Sequence, residues 1–310
     1  MGSGRFDNVS YTSARNTRAS KGEDDFQYSK TSTIGTGVHS NLNPRRIKTK
    51  PFKKLESRDS AEHPKSNAVF VSIDVTGSNI SRAQEVQKKL PNLMEMLQSY
   101  LSDPQLLIAA NDDFNVEGRR SIQISDFESD NRIDDHIRNI LLTSNGGGND
   151  GESYDLILLA AAHMTVLDCL EKRGRKGYFF MYADEPIFSH VKADEVREIF
   201  DIDTEGRLPV SAVIEKLKEQ YHVFVIWPMG GYRHAREQYE HLFGKECVVQ
   251  LQQPILFCEL IGSLIGITEK KLKPTNVVKD LVKVGTSSND ADEVLNAITP
   301  YLKHREATGA

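Results

Sequence analysis

Three oxygen-bearing side chains alternate along five residues of the chain, at Asp74, Thr76 and Ser78. Alternate residues of an extended segment lie on the same side, so one carboxylate and two hydroxyls can converge on one point. Hard divalent cations such as Mg²⁺ take oxygen ligands of these kinds in near-octahedral geometry. We therefore predict that these residues form part of a Mg²⁺ (or Mn²⁺) site. Because two of the three groups are neutral, the ion would still attract an anionic ligand from outside the chain.

A glycine-rich loop and a second acidic strand end could complete this site. Asn149 and Asp150 follow three consecutive glycines, where few other residues could follow the backbone. Asp184 ends a later apolar run. The sequence leaves open which of the two loop residues would bind the ion. It also leaves simpler interpretations, because these residue types favour helix N-caps and turns.

The elements that must position these residues are apolar runs that alternate with amphipathic segments. One apolar run ends at Asp74 and a later one at Asp184, which is typical of strands buried on both faces of a sheet. Residues 81–101 and 154–173 have apolar residues at helical spacing, the former with a kink or break expected at Pro91. This alternation predicts an α/β fold, a doubly wound, mostly parallel sheet with helices on both faces.

Ligands of such sheets bind beyond the carboxyl ends of the strands, where the strand order reverses. Asp74 and Asp184 both follow strands, and the glycine loop lies between them in the sequence. We therefore expect the three segments to meet at this edge of the sheet.

The segment Asp74-Val75-Thr76-Gly77-Ser78 resembles the D-x-[ST]-x-S motif of von Willebrand factor A domains, the metal-ion-dependent adhesion site. The resemblance implies that Thr76 and Ser78 bind the metal directly, whereas Asp74 acts through water. It also implies that Asp184 is the acidic residue of the third metal loop. The loop from Gly146 to Ser153 resembles the second metal loop, which in some members reads GGGD-x-PE-[AS]. Here an amide, that of Asn149, stands at the metal-facing position.

The resemblance covers about residues 67–268, which we take as a von Willebrand factor A-like domain. Outside the metal loops, three further segments resemble bacterial and phage proteins built around such a domain. These segments are residues 56–64, 127–132 and 171–178. The resemblance to von Willebrand factor A domains implies a module that binds a carboxylate of a partner protein through the metal ion. It implies no catalytic residues.

Two other functions remain open. One is a structural subunit of a virion or a cellular assembly whose metal site is vestigial. The other is a phosphotransferase of the haloacid dehalogenase type, which also begins with an Asp at the end of its first strand. That family requires D-x-D, and Thr76 occupies the second acidic position. Gly146–Gly151 is not followed by the Lys-[Ser/Thr] of a phosphate-binding loop. We therefore expect the chain not to be an enzyme.

The two ends of the chain differ from its middle. Residues 1–66 contain 13 Lys and Arg against 7 Asp and Glu, while the remainder has 26 against 37. Because residues 1–66 also contain few aliphatic side chains, we predict a basic, largely disordered tail. The tail has no interleaved aromatic residues and no motif of a specific nucleic-acid reader. Residues 269–310 are expected to form a helical extension.

The chain has the features of a cytoplasmic protein, or of one packaged in a virion. No apolar stretch is long enough to span a bilayer. Cys169, Cys247 and Cys258 form no CxxC pair, so we expect reduced thiols rather than disulfides or a zinc site. The sequence does not determine the partner or the oligomeric state.

Overall fold

The computed structural model describes residues 4–32, 37–48, 54–75, 80–112, 122–142, 152–204, 206–231 and 233–309. Within these ranges, six strands form the main sheet and four short strands form two small ones. The strands are β1 (Leu55–Ser57), β2 (Ser66–Asp74), β3 (Asp103–Asn111), β4 (Ile122–Ile124), β5 (Thr165–Leu167), β6 (Gly177–Tyr182), β7 (His190–Val191), β8 (Leu208–Pro209), β9 (Tyr221–Pro228) and β10 (Val248–Leu251).

Helices connect most of these strands and lie on both faces of the main sheet. Short 3₁₀ helices occupy Pro44–Lys48, Lys245–Cys247, Pro254–Leu256 and Pro274–Asn276. The α-helices in the described residues are α1 (Asn8–Ser20), α2 (Gln27–Thr31), α3 (Ile80–Tyr100), α4 (Arg132–Arg138), α5 (Tyr154–His163), α6 (Asp168–Glu171), α7 (Ala193–Phe200), α8 (Val210–Gln220), α9 (Arg233–Phe243), α10 (Phe257–Thr268), α11 (Val277–Lys283) and α12 (Ser288–Thr308).

The main sheet has the spatial order β10–β9–β6–β2–β3–β4. All neighbouring pairs are parallel except β3 and β4, which are antiparallel. The chain builds outward from β2 through β3 to β4, then returns to β6 on the other side of β2. The strand order therefore reverses between β2 and β6, as in doubly wound nucleotide-binding folds. This architecture confirms the predicted α/β class.

Strand β2 is the centre of the core, and all nine of its residues are buried. Its side chains alternate between two apolar clusters, as the two-residue period of a strand requires. Val69, Val71 and Ile73 pack on the face covered by α3, α10 and α12, whereas Ala68 and Phe70 pack on the face covered by α5, α8 and α9. Because both faces are covered, the strand reads as a continuous apolar run.

Two features of the helices differ from the sequence-based expectations. Residues 154–173 do not form one helix, because Thr165–Leu167 forms β5, which pairs in parallel with β1. Helix α3 continues past Pro91, which lies inside it, so the expected break into two helices does not occur. The close approach of α10 to α3 depends on Gly262, where a Cβ atom would lie 2.5 Å from the Met96 side chain.

The expectation of a disordered N-terminal tail is wrong for the residues that the structure describes. Residues 8–20 form α1, and the N-terminal segment buries four large apolar side chains in the same core as α3. These side chains are Phe6, Tyr11, Phe26 and Leu42. The low content of aliphatic residues gave no sign of this packing, because a few large side chains can bury a large apolar area. Residues 33–36 and 49–53 lie outside the described ranges.

Helices α11 and α12 lie in the predicted C-terminal extension, residues 269–310, and contribute Leu281, Val294 and Ile298 to the core shared with α3. Across the described residues, no helix is both long enough and apolar enough to cross a bilayer. The three cysteines are free, and Cys169 and Cys258 are buried.

Candidate acidic site at the carboxyl end of the sheet

Asp74 and Asp184 come together at the point where the strand order reverses. Asp74 is the last residue of β2, and Asp184 follows β6, the parallel neighbour of β2. Asp74 is fully buried and Asp184 is partly exposed. The hydroxyl oxygen of Tyr154 lies 3.1 Å from Oδ2 of Asp74 and 3.3 Å from Oδ1 of Asp184. Both carboxylates therefore lie within hydrogen-bond range of one neutral oxygen atom.

A third carboxyl group, that of Glu152, joins this pair. Glu152 is buried and forms a side-chain hydrogen bond with Asp74. The amide nitrogen of Asn111, at the end of β3, donates to Oε2 of Glu152 at 2.8 Å. Burial, and next the nearby Asp74 carboxylate, raise the pKa of Glu152 well above its usual value, which favours the neutral carboxyl group that can donate to Asp74.

Sequence reasoning missed Glu152, although a signal was present. It stands where the pattern GGGD-x-PE-[AS] has its glutamate, three residues beyond Asn149. The family resemblance pointed instead to Asn149 and its neighbour Asp150. The structure places Glu152 two residues before the start of α5, beside the ends of β2 and β3.

The other four residues assigned to the site from the sequence lie outside the described residues. These are Thr76, Ser78, Asn149 and Asp150. Within the described ranges, no three His, Cys, Asp or Glu side chains are arranged so that they alone could hold a metal ion. Asp74 and Asp184 therefore supply only part of a possible ligand set.

Aromatic side chains support the acidic site from behind. The Tyr154 ring contacts the Tyr239 ring edge to face, with centroids 6.4 Å apart, and Tyr239 packs on Trp227 at 5.4 Å. All three side chains are buried. The backbone also approaches Trp227 at Gly231, where a Cβ atom would lie 2.6 Å from the indole ring. This packing limits the rotamers of Tyr154 and so fixes the position of its hydroxyl.

Acidic groups dominate the electrostatics of this region. Burial raises the pKa of Tyr154 well above its usual value, and the neighbouring Asp74 and Glu152 carboxyl groups add to the effect. Burial and the Glu152 and Asp184 carboxyl groups act on the pKa of Tyr239 in the same direction. Both phenols are therefore neutral hydrogen-bonding groups near pH 7. Concentrated negative potential of this kind favours a cation.

Comparisons with known proteins give similarity of fold only. No protein-family model and no curated protein matches the chain. A solved structure of the pilus adhesin SpaC from Lactobacillus rhamnosus GG, in an open conformation, aligns with 69% of this chain and 30% of its own length, at 10% identity and a TM-score of 0.43. A von Willebrand factor type A structure from Catenulispora acidiphila aligns with 65% of this chain and 42% of its own length, at 13% identity and a TM-score of 0.39. The chain thus spans less than half of either protein.

Proposed function

We propose that the chain is a protein-interaction module that binds a carboxylate of a partner protein through Mg²⁺ or Mn²⁺ at the carboxyl end of its sheet. The observation that carries this proposal is the convergence of Asp74 and Asp184 on the single hydroxyl of Tyr154, at 3.1 and 3.3 Å. Two carboxylates brought together in a poorly solvated place repel each other, and a bound cation would offset that repulsion.

The available donors fit a hard cation because they are all oxygen atoms. In this proposal Thr76 and Ser78 bind the ion directly, while Asp74 and Asp184 support it from the ends of β2 and β6. Asn149 or Asp150 supplies the ligand from the glycine loop. The ion, when bound, acts as a Lewis acid that accepts an outside carboxylate oxygen.

The chain's own residues position and insulate the site. Strands β2 and β6, paired in parallel, bring the backbones of the two acidic residues to neighbouring positions. Glu152 contacts Asp74 from the side of β3, where Asn111 holds it. Because Asp74 is fully buried, its carboxylate cannot be reached directly by a partner. Contact with the partner is therefore proposed to pass through the ion. We assign no catalytic role to these residues.

Metal-dependent stability tests this proposal. Mg²⁺ or Mn²⁺ at millimolar concentration is expected to raise the melting temperature of the full chain, because a ligand that binds only the folded state stabilises it. Asp74→Ala is expected to abolish this rise, whereas Asp292→Ala, at an exposed position of α12, is expected to retain it. Differential scanning fluorimetry with metal and with EDTA measures both.

Identical melting curves with metal and with EDTA would contradict the metal site. They would favour instead a structural subunit with a vestigial site. If metal binds, the next measurement is binding of an immobilised carboxylate-bearing peptide library with and without EDTA. Binding that persists in EDTA would contradict a carboxylate held by the ion.

A further inference from the structure

We infer that Tyr154 is a positioning residue, whose hydroxyl holds Asp74 and Asp184 at the spacing that a cation requires. This inference rests on the proposed metal-binding function and names a residue outside the ligand set. Tyr154 is the first residue of α5 and is fully buried. Its hydroxyl lies between the ends of β2 and β6, and its ring packs against the buried ring of Tyr239.

A phenol has one proton to donate and lone pairs with which to accept. The Tyr154 hydroxyl can therefore donate to only one of its two carboxylates at a time. It can turn toward whichever carboxylate the ion leaves with a free lone pair. A neutral group of this kind can keep two like charges near a common point without adding charge to the site.

Tyr154 also completes a chain of polar side-chain contacts across three strand ends. The chain runs from Asn111 through Glu152 to Asp74, and then through Tyr154 to Asp184. It links the ends of β3, β2 and β6. Removal of the Tyr154 hydroxyl deletes the link between β2 and β6 at the position where the ion is proposed to bind.

Tyr239 provides a matched control. It is also fully buried, and its ring contacts the ring of Tyr154. Among the described residues, however, its hydroxyl has no hydrogen-bond partner. Tyr154→Phe and Tyr239→Phe therefore remove the same atom from similar packing, and only the first removes contacts with Asp74 and Asp184.

The experiment measures Mn²⁺ affinity of the full chain by isothermal titration calorimetry, with Mg²⁺ affinity obtained by competition. Tyr154→Phe is expected to weaken Mn²⁺ binding by about 10-fold or more, the effect typical of groups that orient metal ligands. Tyr239→Phe is expected to remain within about 2-fold of the unmodified chain, since it loses no contact to a ligand. Titrations are made at a temperature where the metal-free melting curves show all three proteins folded.

Unchanged affinity in Tyr154→Phe would overturn the inference and leave the metal site itself intact. An equal loss in both variants would overturn it too, because general packing would then explain the effect. Absence of Mn²⁺ binding by the unmodified chain would overturn both the metal site and the role of Tyr154. A loss of Mn²⁺ affinity in Tyr154→Phe alone supports the inference, whether or not the metal-free melting temperature of that variant changes.

Discussion

Neighbouring residues at the start of α5 lie in different electrostatic settings. Tyr154 contacts the carboxylates of the candidate site, whereas Asp155 is buried near Glu195 of α7. Burial, and next the Glu195 carboxylate, raise the pKa of Asp155 to about 8. Glu195 is itself paired with Lys192, whose ammonium lies 2.7 Å from its Oε1. Asp155 therefore holds its proton in the folded state at pH values where the unfolded chain has lost it.

Asp155→Asn is expected to reduce the pH dependence of stability. Between the ordinary pKa of 3.8 and the raised value of about 8, the folded state binds more protons than the unfolded state. The free energy of unfolding of the unmodified chain therefore falls as pH rises through this range, by up to about 1.4 kcal/mol per pH unit. Asparagine cannot ionise, so the variant gains stability relative to the unmodified chain as the pH rises from about 5 to about 8.

Urea unfolding at the two ends of that range measures this difference. Asp292→Asn, on the exposed side of α12, serves as the control and is expected to follow the unmodified chain. A constant difference between Asp155→Asn and the unmodified chain across the range would show that Asp155 is ionised in the folded state.

Residue types and spacing were enough to place Asp74 and Asp184 at the ends of two strands, because each lies at or just after the end of a long apolar run. They were not enough to find Tyr154, which reads as one more apolar residue at the start of a helix. Its role depends on where the helix begins relative to the strand ends. That relation is a property of tertiary packing.

At the scale of elements, the N-terminal segment covers the edge strand β4. The backbone nitrogen of Ile124 donates to the carbonyl of Leu42 at 2.9 Å. The Arg46 guanidinium donates to the Ile124 carbonyl and pairs with Asp126, at 2.9 Å. Backbone groups on an uncovered edge would be available to pair with another chain. The segment 37–48 thus satisfies groups that would otherwise face solvent.

Arg46→Met is expected to destabilise the fold by roughly 1–2 kcal/mol, because it removes charge-assisted hydrogen bonds from a partly buried position. Lys30→Met, at a position whose side chain is 65% exposed, is the control and is expected to change stability little. Equilibrium urea unfolding followed by circular dichroism measures both. Equal stability of the two variants would indicate that the segment does not hold the edge of β4.

The long strands β2 and β6 were predictable, since each is a continuous buried apolar run near an acidic residue. Strand β5 was not, because Thr165–Leu167 continues the apolar pattern of α5. Three residues carry too weak a periodic signal, and they become a strand only through pairing with β1. Short elements of this kind depend on a partner that is distant in sequence.

At the scale of the whole molecule, three segments that are distant in sequence meet at the amino end of the sheet, namely residues 56–64, 127–132 and 171–178. The Arg173 guanidinium pairs with Asp59 at 2.7 Å, and Nε2 of His63 lies 3.0 Å from the Ser129 hydroxyl. His63 Nε2 also contacts the carbonyl of Gly4, at 2.9 Å. These contacts therefore hold the segment around Gly4 against the amino end of the sheet, opposite the acidic site.

The last strand on the other side of the main sheet is covered on one face by the C-terminal helix α12. Strand β10 is the last strand on its side, and α12 packs against it. Deletion of residues 288–310 is expected to expose β10 and the apolar residues that α12 covers, and so to cause aggregation. Size-exclusion chromatography with light scattering measures this. Deletion of residues 309–310 alone is the control. A chain without residues 288–310 that has the same oligomeric state as the full chain would contradict the expectation.

Because residues 37–48 occupy the outer edge of β4, a partner that added a strand there would first have to displace them. A partner that docks end-on, above the acidic site, would leave this segment in place, and also α12 on β10. Amide hydrogen exchange in β4 and β10 should then be the same with and without the bound partner, and slower exchange should be confined to the loops around the docking point.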